Sequence, residues 1–378
     1  MMTRMTTQFP ITSSRAWPGH RYIARLPAVQ WLLLMLLLAL SSTGQALPIE
    51  GLYSQEIVVE NQSEAARERA YREAFEQVIV KVTGERRWLE HPRIREARQR
   101  AASYVAEVSY RTVGLEGRID VRFDQGLIGD LLNQAEIPVW DSNRASVLLW
   151  ITVQGDDGRR NMLGSSSDHV LLDQAREFAT ERGVPVLIPL LDLTDRRMVS
   201  VNQGWQLDTA ALRQVGERYG ADSVLAGRLL ITPANEVVGL WQFIFRDQTH
   251  VFDHVDVSPD TYMDFPLDQV TGRLAEHFGL VPSDFEQEDQ VTLRIDGVAS
   301  LASHMALMRY LESLTMVSAA NVSALRGDSI ELRLQLAGTR QHLAEFISLG
   351  RDLVPVTSGT GDVATATSDL LHYRWTRQ

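Results

Sequence analysis

Asp192 and Asp195 are the residues whose types and position best suit chemistry in this sequence. They follow the apolar run 184–190, which we predict to be the second strand of a parallel sheet. Ligands of such sheets bind beyond the carboxyl ends of the strands, so this carboxyl pair could hold a small ligand or serve a hydrolase-type reaction. The alternative is structural, because the same side chains could cap a turn or helix and pair with Arg196 or Arg197.

Two tryptophans could contribute to a ligand site. Trp140 and Trp205 fall in stretches that we predict to be loops, where an indole ring can line a groove. Trp150 and Trp241 lie in apolar runs and should belong to the core. We therefore take Trp140 and Trp205 as candidate ligand-binding residues, with core packing as the alternative.

The sequence lacks the motifs of the common catalytic classes. It has no phosphate loop, no dinucleotide-binding glycine fingerprint, no nucleophile elbow, no zinc-protease helix and no calcium loop. We therefore assign no catalytic residue and no cofactor, and the sequence favours a non-catalytic protein over an enzyme.

The densest histidine cluster is His250, Asp253, His254 and Asp256. The apolar residues between them favour a strand, in which side chains four positions apart are separated by about 13 Å. That spacing is too long for one metal ion at about 2 Å from each nitrogen. We predict a solvated strand face and no metal site.

The chain has no cysteine, and Lys81 is its only lysine. The missing thiols exclude disulfides, thiolate metal sites, iron–sulfur clusters and cysteine nucleophiles. Lys81 lies on a predicted helix, far from any glycine-rich loop, and we interpret it as a solvated side chain.

Composition and charge limit the class of partner. At 378 residues, with 44% hydrophobic and 22% charged residues, the chain is long enough for two or three ordinary domains. Its net charge of −11 repels phosphate groups and therefore argues against nucleic acid as a partner.

Residues 1–46 are typical of an export signal. Four arginines and no acidic residue occur in this stretch, an apolar core covers 31–40, and Gly44 and Ala46 match the small residues that a signal peptidase reads. We predict cleavage after Ala46 and a periplasmic protein with no later membrane span. The alternative is an uncleaved segment that anchors the body at the inner membrane.

Residues 47–139 predict an amino-terminal α+β domain. A strand at 56–60 precedes the capping-box pattern of Asn61 and Glu64, which opens a long helix ended by Gly84. Alanines recur every four residues along this helix and predict close packing on the domain's own sheet. A second helix, a hairpin and a short helix complete the domain.

Residues 140–282 predict a central α/β domain with a mixed sheet and helices on its faces. Helical patterns separate three apolar strands, and an antiparallel pair and a last helix follow. The predicted strands are 147–153, 184–190, 223–231, 237–245 and 250–257.

Residues 283–290 read as an acidic linker, and 291–378 as a carboxy-terminal domain. The predicted order there is strand, helix, strand, strand, helix, strand, which is the ferredoxin-like order. The last strand follows a Gly/Ser/Thr-rich stretch, 357–368, and should turn Leu371, Tyr373 and Trp375 inward.

Several of these segments resemble an uncharacterised family of exported proteobacterial proteins, domain-of-unknown-function family 2066. The matching residues are 66–84 with its ending Val80-Lys81-Val82-Thr83-Gly84, Val139-Trp140 with Arg144 before Val147-Leu148-Leu149-Trp150, Arg182-Gly183-Val184-Pro185-Val186 with Pro189-Leu190-Leu191-Asp192-Leu193-Thr194-Asp195, and Tyr373-Arg374-Trp375. The resemblance covers nearly all of the chain after residue 46. It implies a Gram-negative envelope location and no activity, since the family has no assigned catalytic residues.

A weaker similarity concerns architecture. An alanine-striped first domain before an α/β domain containing the segment 219–227 is similar to the amino-terminal domain of the translocation protein TolB and to flagellar outer-ring assembly proteins. This similarity implies a role in binding other envelope components.

We therefore expect a periplasmic binding or assembly module of three small domains. Its expected partners are envelope proteins, and it could form a homo-oligomer. The competing hypothesis is a small-ligand receptor or hydrolase-type enzyme with its site at Asp192 and Asp195.

Overall fold

The computed structural model describes residues 51–281, 289–350, 352–356 and 370–376, which belong to one unit, 46–378. The predicted signal peptide 1–46, most of the predicted linker 283–290 and the stretch 357–368 lie outside the described residues. The mixed α/β and α+β class is confirmed by three sheets, one for each stretch predicted as a domain. The separation into three domains stays a prediction. Among the described residues, no helix combines the length and apolar character that a membrane span needs.

The first sheet is antiparallel, with its longest strands joined as a hairpin and a long helix packed on one face. Its strand order is β1-β3-β2. The elements are β1 (Ser54–Val59), α1 (Glu64–Thr83), α2 (Pro92–Gln99), β2 (Val105–Val113), β3 (Glu116–Phe123) and α3 (Gln125–Gln134).

Local sequence explains where α1 begins and ends. The cap is Ser63, whose hydroxyl accepts a hydrogen bond from Ala66 N–H, and not Asn61 as predicted. Gly84 ends the helix with φ +77°, a conformation that glycine adopts without strain. Ala66, Ala70 and Ala74 are buried, so the alanine stripe packs on the protein itself as predicted.

The central sheet has the order β5-β4-β7-β8-β9, and a short strand β6 also pairs with β4. β4 and β7 are parallel, and β5, β8 and β9 join antiparallel to their neighbours. The elements are β4 (Val147–Gln154), β5 (Arg160–Leu163), α4 (Val170–Arg182), β6 (Val186–Leu187), α5 (Leu193–Met198), α6 (Val201–Gln206), α7 (Thr209–Tyr219), β7 (Ser223–Ile231), β8 (Val237–Phe245), β9 (Gln248–Asp256) and α8 (Asp264–Phe278).

One predicted strand of this sheet is much shorter than expected, and one strand was not predicted. The run 184–190 forms only the two-residue strand β6, because Pro185 and Pro189 have no backbone N–H to donate to a ladder. The stretch 160–163, to which the sequence analysis assigned no element, is the edge strand β5.

The third sheet has the order β11-β12-β10-β14-β13. The predicted order of elements holds through its second helix. In the ferredoxin-like arrangement the strand after the second helix runs antiparallel to the first strand, here β10. β13 has that direction, but it does not pair with β10, because β14 lies between them and runs parallel to β10. The elements are β10 (Asp289–Asp296), α9 (Leu301–Ser313), β11 (Val317–Arg326), β12 (Ser329–Leu336), α10 (Arg340–Gly350), β13 (Leu353–Pro355) and β14 (Leu370–Trp375).

Residues 138–146, which we name the junction segment, contact all three sheet units. Val139 and Leu280 exchange two backbone hydrogen bonds, and Trp140 N–H donates to Val82 O at 2.8 Å. Asp141 Oδ2 accepts a hydrogen bond from Thr315 N–H at 2.6 Å. The segment that contains the predicted boundary between the first and central domains is therefore a structural joint between all three sheet units.

Arg144 is the centre of this joint. Its guanidinium is buried, lies 4.1 Å from the Trp140 ring, and donates hydrogen bonds to backbone carbonyls from the first and central units. Burial lowers the pKa of Arg144 to about 9, so the side chain stays charged at neutral pH. The acceptors are the carbonyl oxygens of Lys81 (2.5 Å), Trp140 (3.1 Å), Asp141 (3.0 Å), Arg182 (2.8 Å) and Gly183 (3.2 Å).

Lys81 lies beside this joint and is not solvated, contrary to our interpretation. It is buried, and its Nζ donates to Ser54 O at 3.0 Å and to Gln55 Oε1 at 2.8 Å. Burial, together with the charge of Arg144, lowers the pKa of Lys81 to about 8. Lys81 thus fastens β1 to the end of α1.

We expect Arg144→Met to lower the free energy of unfolding by about 3 kcal/mol or more, since several buried carbonyls lose their donor. Arg144→Lys should lose most of the same amount, because one ammonium group cannot reach acceptors on opposite sides. Urea denaturation measures the change. Arg72→Met, which removes an exposed arginine 4.0 Å from Glu68, is the control and should cost less than about 1 kcal/mol. Equal losses in Arg144→Met and Arg72→Met would contradict this role.

Candidate functional site

Asp192 lies where the chain leaves the central sheet and enters α5. It is the N-cap of that helix: its Oδ1 accepts hydrogen bonds from the N–H groups of Thr194 and Asp195, each at 2.9 Å. The cap satisfies two donors that a helix start otherwise leaves unpaired. The predicted structural alternative is therefore observed for this residue.

Asp195 lies one turn further on, and its carboxyl group is fully buried. Its Oδ2 accepts hydrogen bonds from Leu191 N–H at 2.8 Å and from the Tyr219 hydroxyl at 2.6 Å. Its Oδ1 pairs with Arg218. A buried carboxyl group with this many donors is stabilised in place and has little capacity left for a ligand.

Arg218 bridges the two aspartates. One nitrogen contacts Asp195 Oδ1, and the other lies 2.6 Å from Asp192 Oδ2. The partner of the pair is thus Arg218 and not Arg196 or Arg197, a contact that brings α7 to the start of α5.

The electrostatics follow from these contacts. The hydrogen bond from Asp195 N–H and then that from Arg218 lower the pKa of Asp192. Burial and then the hydrogen bond to Asp195 raise the pKa of Tyr219 to about 12. Tyr219 therefore keeps its proton at neutral pH and remains a donor, and the oxygens of Asp192 are occupied by internal donors. This arrangement holds a loop; it offers no unoccupied general base.

The loop that it holds is Pro189–Leu193, which we name the leucine loop. Pro189 O accepts a hydrogen bond from Ser165 N–H at 2.8 Å, and Leu190 N–H donates to the Tyr219 hydroxyl at 2.7 Å. Leu191 O accepts from Arg196 Nε at 2.9 Å. Hydrogen bonds to Ser165, Tyr219 and Arg196 thus fix three successive residues of the loop.

Leu191 has a left-handed backbone with φ +55°, which costs a non-glycine residue about 1–2 kcal/mol. Its side chain is buried and packs beneath Gly164, where an added Cβ would lie 2.8 Å from Leu191 Cγ. The turn directs Leu191 inward and leaves the neighbouring leucines outside.

Leu190 is 62% exposed and Leu193 is 74% exposed. Large apolar side chains on a fixed backbone are suited to fill a pocket of another protein, because little order is lost on binding. Arg196 and Arg197 are exposed on α5 next to them. The arrangement is therefore a small apolar and basic surface, which the sequence analysis did not predict. The one signal in the sequence is that leucines continue past Pro189, which has no N–H to donate to a strand.

The two candidate tryptophans lie elsewhere. Trp140 is fully buried in the core cluster on one face of the central sheet, whereas Leu191 packs in the cluster on the other face. Trp205 lies in α6, not in a loop as predicted, with the Arg160 guanidinium 4.3 Å from its ring. The structure brings Asp192 and Asp195 together, but it does not bring Trp140 to them.

A cleft of about 360 Å³ lies at the junction segment, between the first and third sheet units. Its lining includes Tyr53, Arg122, Asp141 and Glu312. Burial raises the pKa of Asp141 although Thr315 N–H and Ser142 N–H both donate to it. Asp141 therefore has a structural role in this cleft, as the acceptor of two backbone hydrogen bonds.

The histidine cluster lies on the strand β9, as predicted. The predicted solvated face is wrong: His250, His254 and Asp256 are half-buried, and the exposed side chains between them are those of Val251, Asp253 and Val255. His254 stacks on Phe265 with ring centroids 4.3 Å apart, and its Nε2 is 3.9 Å from Asp256 Oδ2. Within the described ranges, no group of three or more histidine, aspartate and glutamate side chains is placed to hold a metal ion.

We expect Tyr219→Phe to lower the free energy of unfolding by about 1–3 kcal/mol, because Leu190 N–H loses its acceptor and the Asp195 carboxyl group loses a donor. Urea denaturation measures this change, and hydrogen exchange at Leu190 should accelerate. The control is Tyr110→Phe, which alters an exposed ring on β2. If both variants lose the same stability, Tyr219 does not brace the loop.

The acid dependence of stability should change in Asp192→Asn. Because the folded protein holds the pKa of Asp192 below its ordinary value, the ionised group stabilises the fold above its unfolded pKa of about 3.9. That contribution is lost as the pH falls through the lower, folded pKa. The stability difference between wild type and Asp192→Asn should thus be largest near neutrality and shrink below about pH 4. A difference that is constant over urea titrations from acid to neutral pH would contradict the ionic role.

Comparison with known proteins gives a family for the amino-terminal part only. The model of a domain of unknown function (DUF8605) matches residues 46–141, the stretch that contains the first sheet and the beginning of the junction segment. A search of the curated proteins found no match. A search of the solved structures also found none. The resemblance to an uncharacterised domain family is confirmed at this level, for these residues.

Proposed function

We propose that this protein is an exported, non-catalytic binding module of the Gram-negative envelope that docks a partner protein through the leucine loop. The observation that carries the proposal is the bracing of that loop. Tyr219, Asp195 and Arg218 are used to hold its backbone, and the side chains it displays are leucines.

Export is supported by the composition of residues 1–46, with arginines before an apolar core and small residues at the proposed cleavage site. The absence of cysteine fits a compartment where free thiols would oxidise. The resemblance to family 2066 points to the same location, and membership of that family is part of the proposal. The alternative location is the inner membrane, with the leader retained as an anchor.

The leucine loop specifies the chemistry of its partner. Leu190 and Leu193 would enter an apolar pocket, and Arg196 and Arg197 would face acidic groups at its rim. The chain is acidic as a whole, so this local basic surface stands out electrostatically. The partner class is therefore an envelope protein with an apolar pocket bordered by carboxylates.

The competing hypothesis places a small-ligand or hydrolase site at Asp192 and Asp195. Its weakness is that the internal hydrogen bonds already engage both carboxyl groups. A receptor or enzyme of this kind would be detected as ligand-dependent melting that Asp192→Asn abolishes while the protein stays folded.

In-cell photo-crosslinking tests the binding proposal directly. Amine-reactive crosslinkers are unsuitable, because Lys81 is the only lysine and is buried. A photo-reactive residue in place of Leu193 should capture one envelope protein, identified by mass spectrometry. The same residue in place of Leu115, which is fully exposed at the tip of the β2–β3 hairpin, is the matched control and should not capture it.

Leu190→Asp and Leu193→Asp should each reduce recovery of that partner by at least about tenfold, since each loses a buried apolar contact and gains a desolvated charge. Both side chains are exposed, so the melting temperature should not change. Equal capture from positions 115 and 193, or unchanged recovery in both aspartate variants, would refute docking through this loop. The mass of the recovered chain shows whether cleavage follows Ala46.

A further inference from the structure

We propose that the protein forms a symmetric dimer through the free edge of β11, with a second copy of the same chain pairing antiparallel to that strand. The surface is distinct from the leucine loop and belongs to the third sheet unit. We name it the β11 edge and define it by Val322 and Leu325 on the strand and Leu301 and Met305 on α9.

β11 is the first strand in the order β11-β12-β10-β14-β13, so among the described strands none pairs with its outer side. It is ten residues long and carries no charge before Arg326, no proline and no glycine. Edge strands normally avoid association by charges, proline or shortness. The other edge strands of the described sheets show such protection: Glu56 on β1, Glu107 and Arg111 on β2, Arg160 on β5, Asp253 and Asp256 on β9, and Pro355 in the three-residue β13.

The apolar residues of β11 point to the helix-covered face and yet remain exposed. Val322 lies opposite Leu332 and Leu325 opposite Ile330, and both of these partners are fully buried. Residues opposite one another in an antiparallel pair share a face. Leu325 is nevertheless 68% exposed, and Val322 is exposed too.

Helix α9 also carries exposed apolar side chains. It packs against β11, and Leu301 and Met305, one turn apart on its exposed side, are accessible to solvent. β10 and β11 run in the same direction, since both are antiparallel to β12. The start of α9 and the end of β11 are therefore at the same end of the sheet, and Val298 N–H donates to Asp328 O across it.

Two irregularities in the β11–β12 pairing occur between Val317 and Ala319 and between Val322 and Ala324. Bulges can protect an edge strand from association, but here the side chains of the bulged residues form hydrogen bonds to the neighbouring strand β12. Ser318 Oγ donates to Gln335 O and Ser323 Oγ donates to Glu331 O, each at 3.1 Å. The stretch between them, from Ala319 to Val322, pairs regularly and leaves its outer side free.

The absence of charge along β11 favours a second copy of the same strand as the occupant, because two such strands pair without bringing like charges together. Two molecules that each carry a net charge of −11 repel over most of their surface, whereas β11 faces itself without charges over Val317–Leu325. Antiparallel pairing about a twofold axis would join the two sheets, and it would place both α9 helices on one face with the four apolar residues of each copy between them.

Sedimentation equilibrium of the full chain tests the dimer. Wild type should be dimeric at about 100 µM, and Val322→Lys should weaken the dimer at least about tenfold, because it places like charges at a shared edge. The matched control is Val255→Lys, which changes an exposed valine on the edge strand β9 and should leave the dimer intact. Thermal melting checks that both variants fold.

The cysteine-free chain allows a second test. Single cysteines introduced in turn from Ala319 to Leu325 should form an intermolecular disulfide at one position or at two adjacent ones, where the strands cross the axis. A cysteine at Val255 should form none. The proposal is overturned by a monomeric wild type, by a dimer that Val322→Lys does not weaken, or by a dimer in which no β11 cysteine crosslinks. A monomer whose β11 edge captures a different protein would likewise overturn it.

Discussion

The burial of the Arg144 guanidinium is the interaction on which the other parts of this structure depend. A charged group enters a protein interior only if its donors are satisfied, and Arg144 meets this need with backbone carbonyls from the end of α1, the junction segment and the end of α4. Helix ends carry carbonyls without intrahelical partners. Arg144 therefore supplies the missing donors to two helices at once, and their relative position is set by the geometry of one planar group.

The same segment explains why the three sheet units behave as one body. Asp141 accepts a hydrogen bond from Thr315, and Asn143 donates to Phe346 O, so residues beside Arg144 reach the third unit. Buried side chains of the central and third units also form a single apolar cluster. The three sheet units are thus joined by hydrogen bonds of the junction segment, and the central and third units also by shared apolar packing.

The sequence was informative where the physical cause is local. Apolar runs located β4, β7, β8 and β9, and Gly84 located the carboxyl end of α1, because these depend on neighbouring residues. The apolar run 184–190 predicts a full strand, but its two prolines limit the strand to two residues. The role of Arg144 was not predictable from the sequence. Its acceptors are backbone carbonyl groups, which every residue type has. The structural role of Asp195 depends on Tyr219, which lies 24 positions further along the chain. The exposure of β11 depends on the order of strands in the sheet, which the sequence of one strand does not determine.

The polar groups singled out in this structure serve mainly to hold its parts together. Asp192, Asp195, Arg218 and Tyr219 bond to one another or to backbone, and Lys81 and Arg144 do the same at the joint. Contacts of this kind satisfy buried or partly buried polar groups and hold the fold together. The accessible chemistry instead lies in leucines, valine and methionine at two surfaces, one flanked by arginines and one without charge along its strand. Because these surfaces select different complements, one molecule could bind a second copy through β11 and present two leucine loops to an envelope partner, which would raise the avidity of each loop without any new contact.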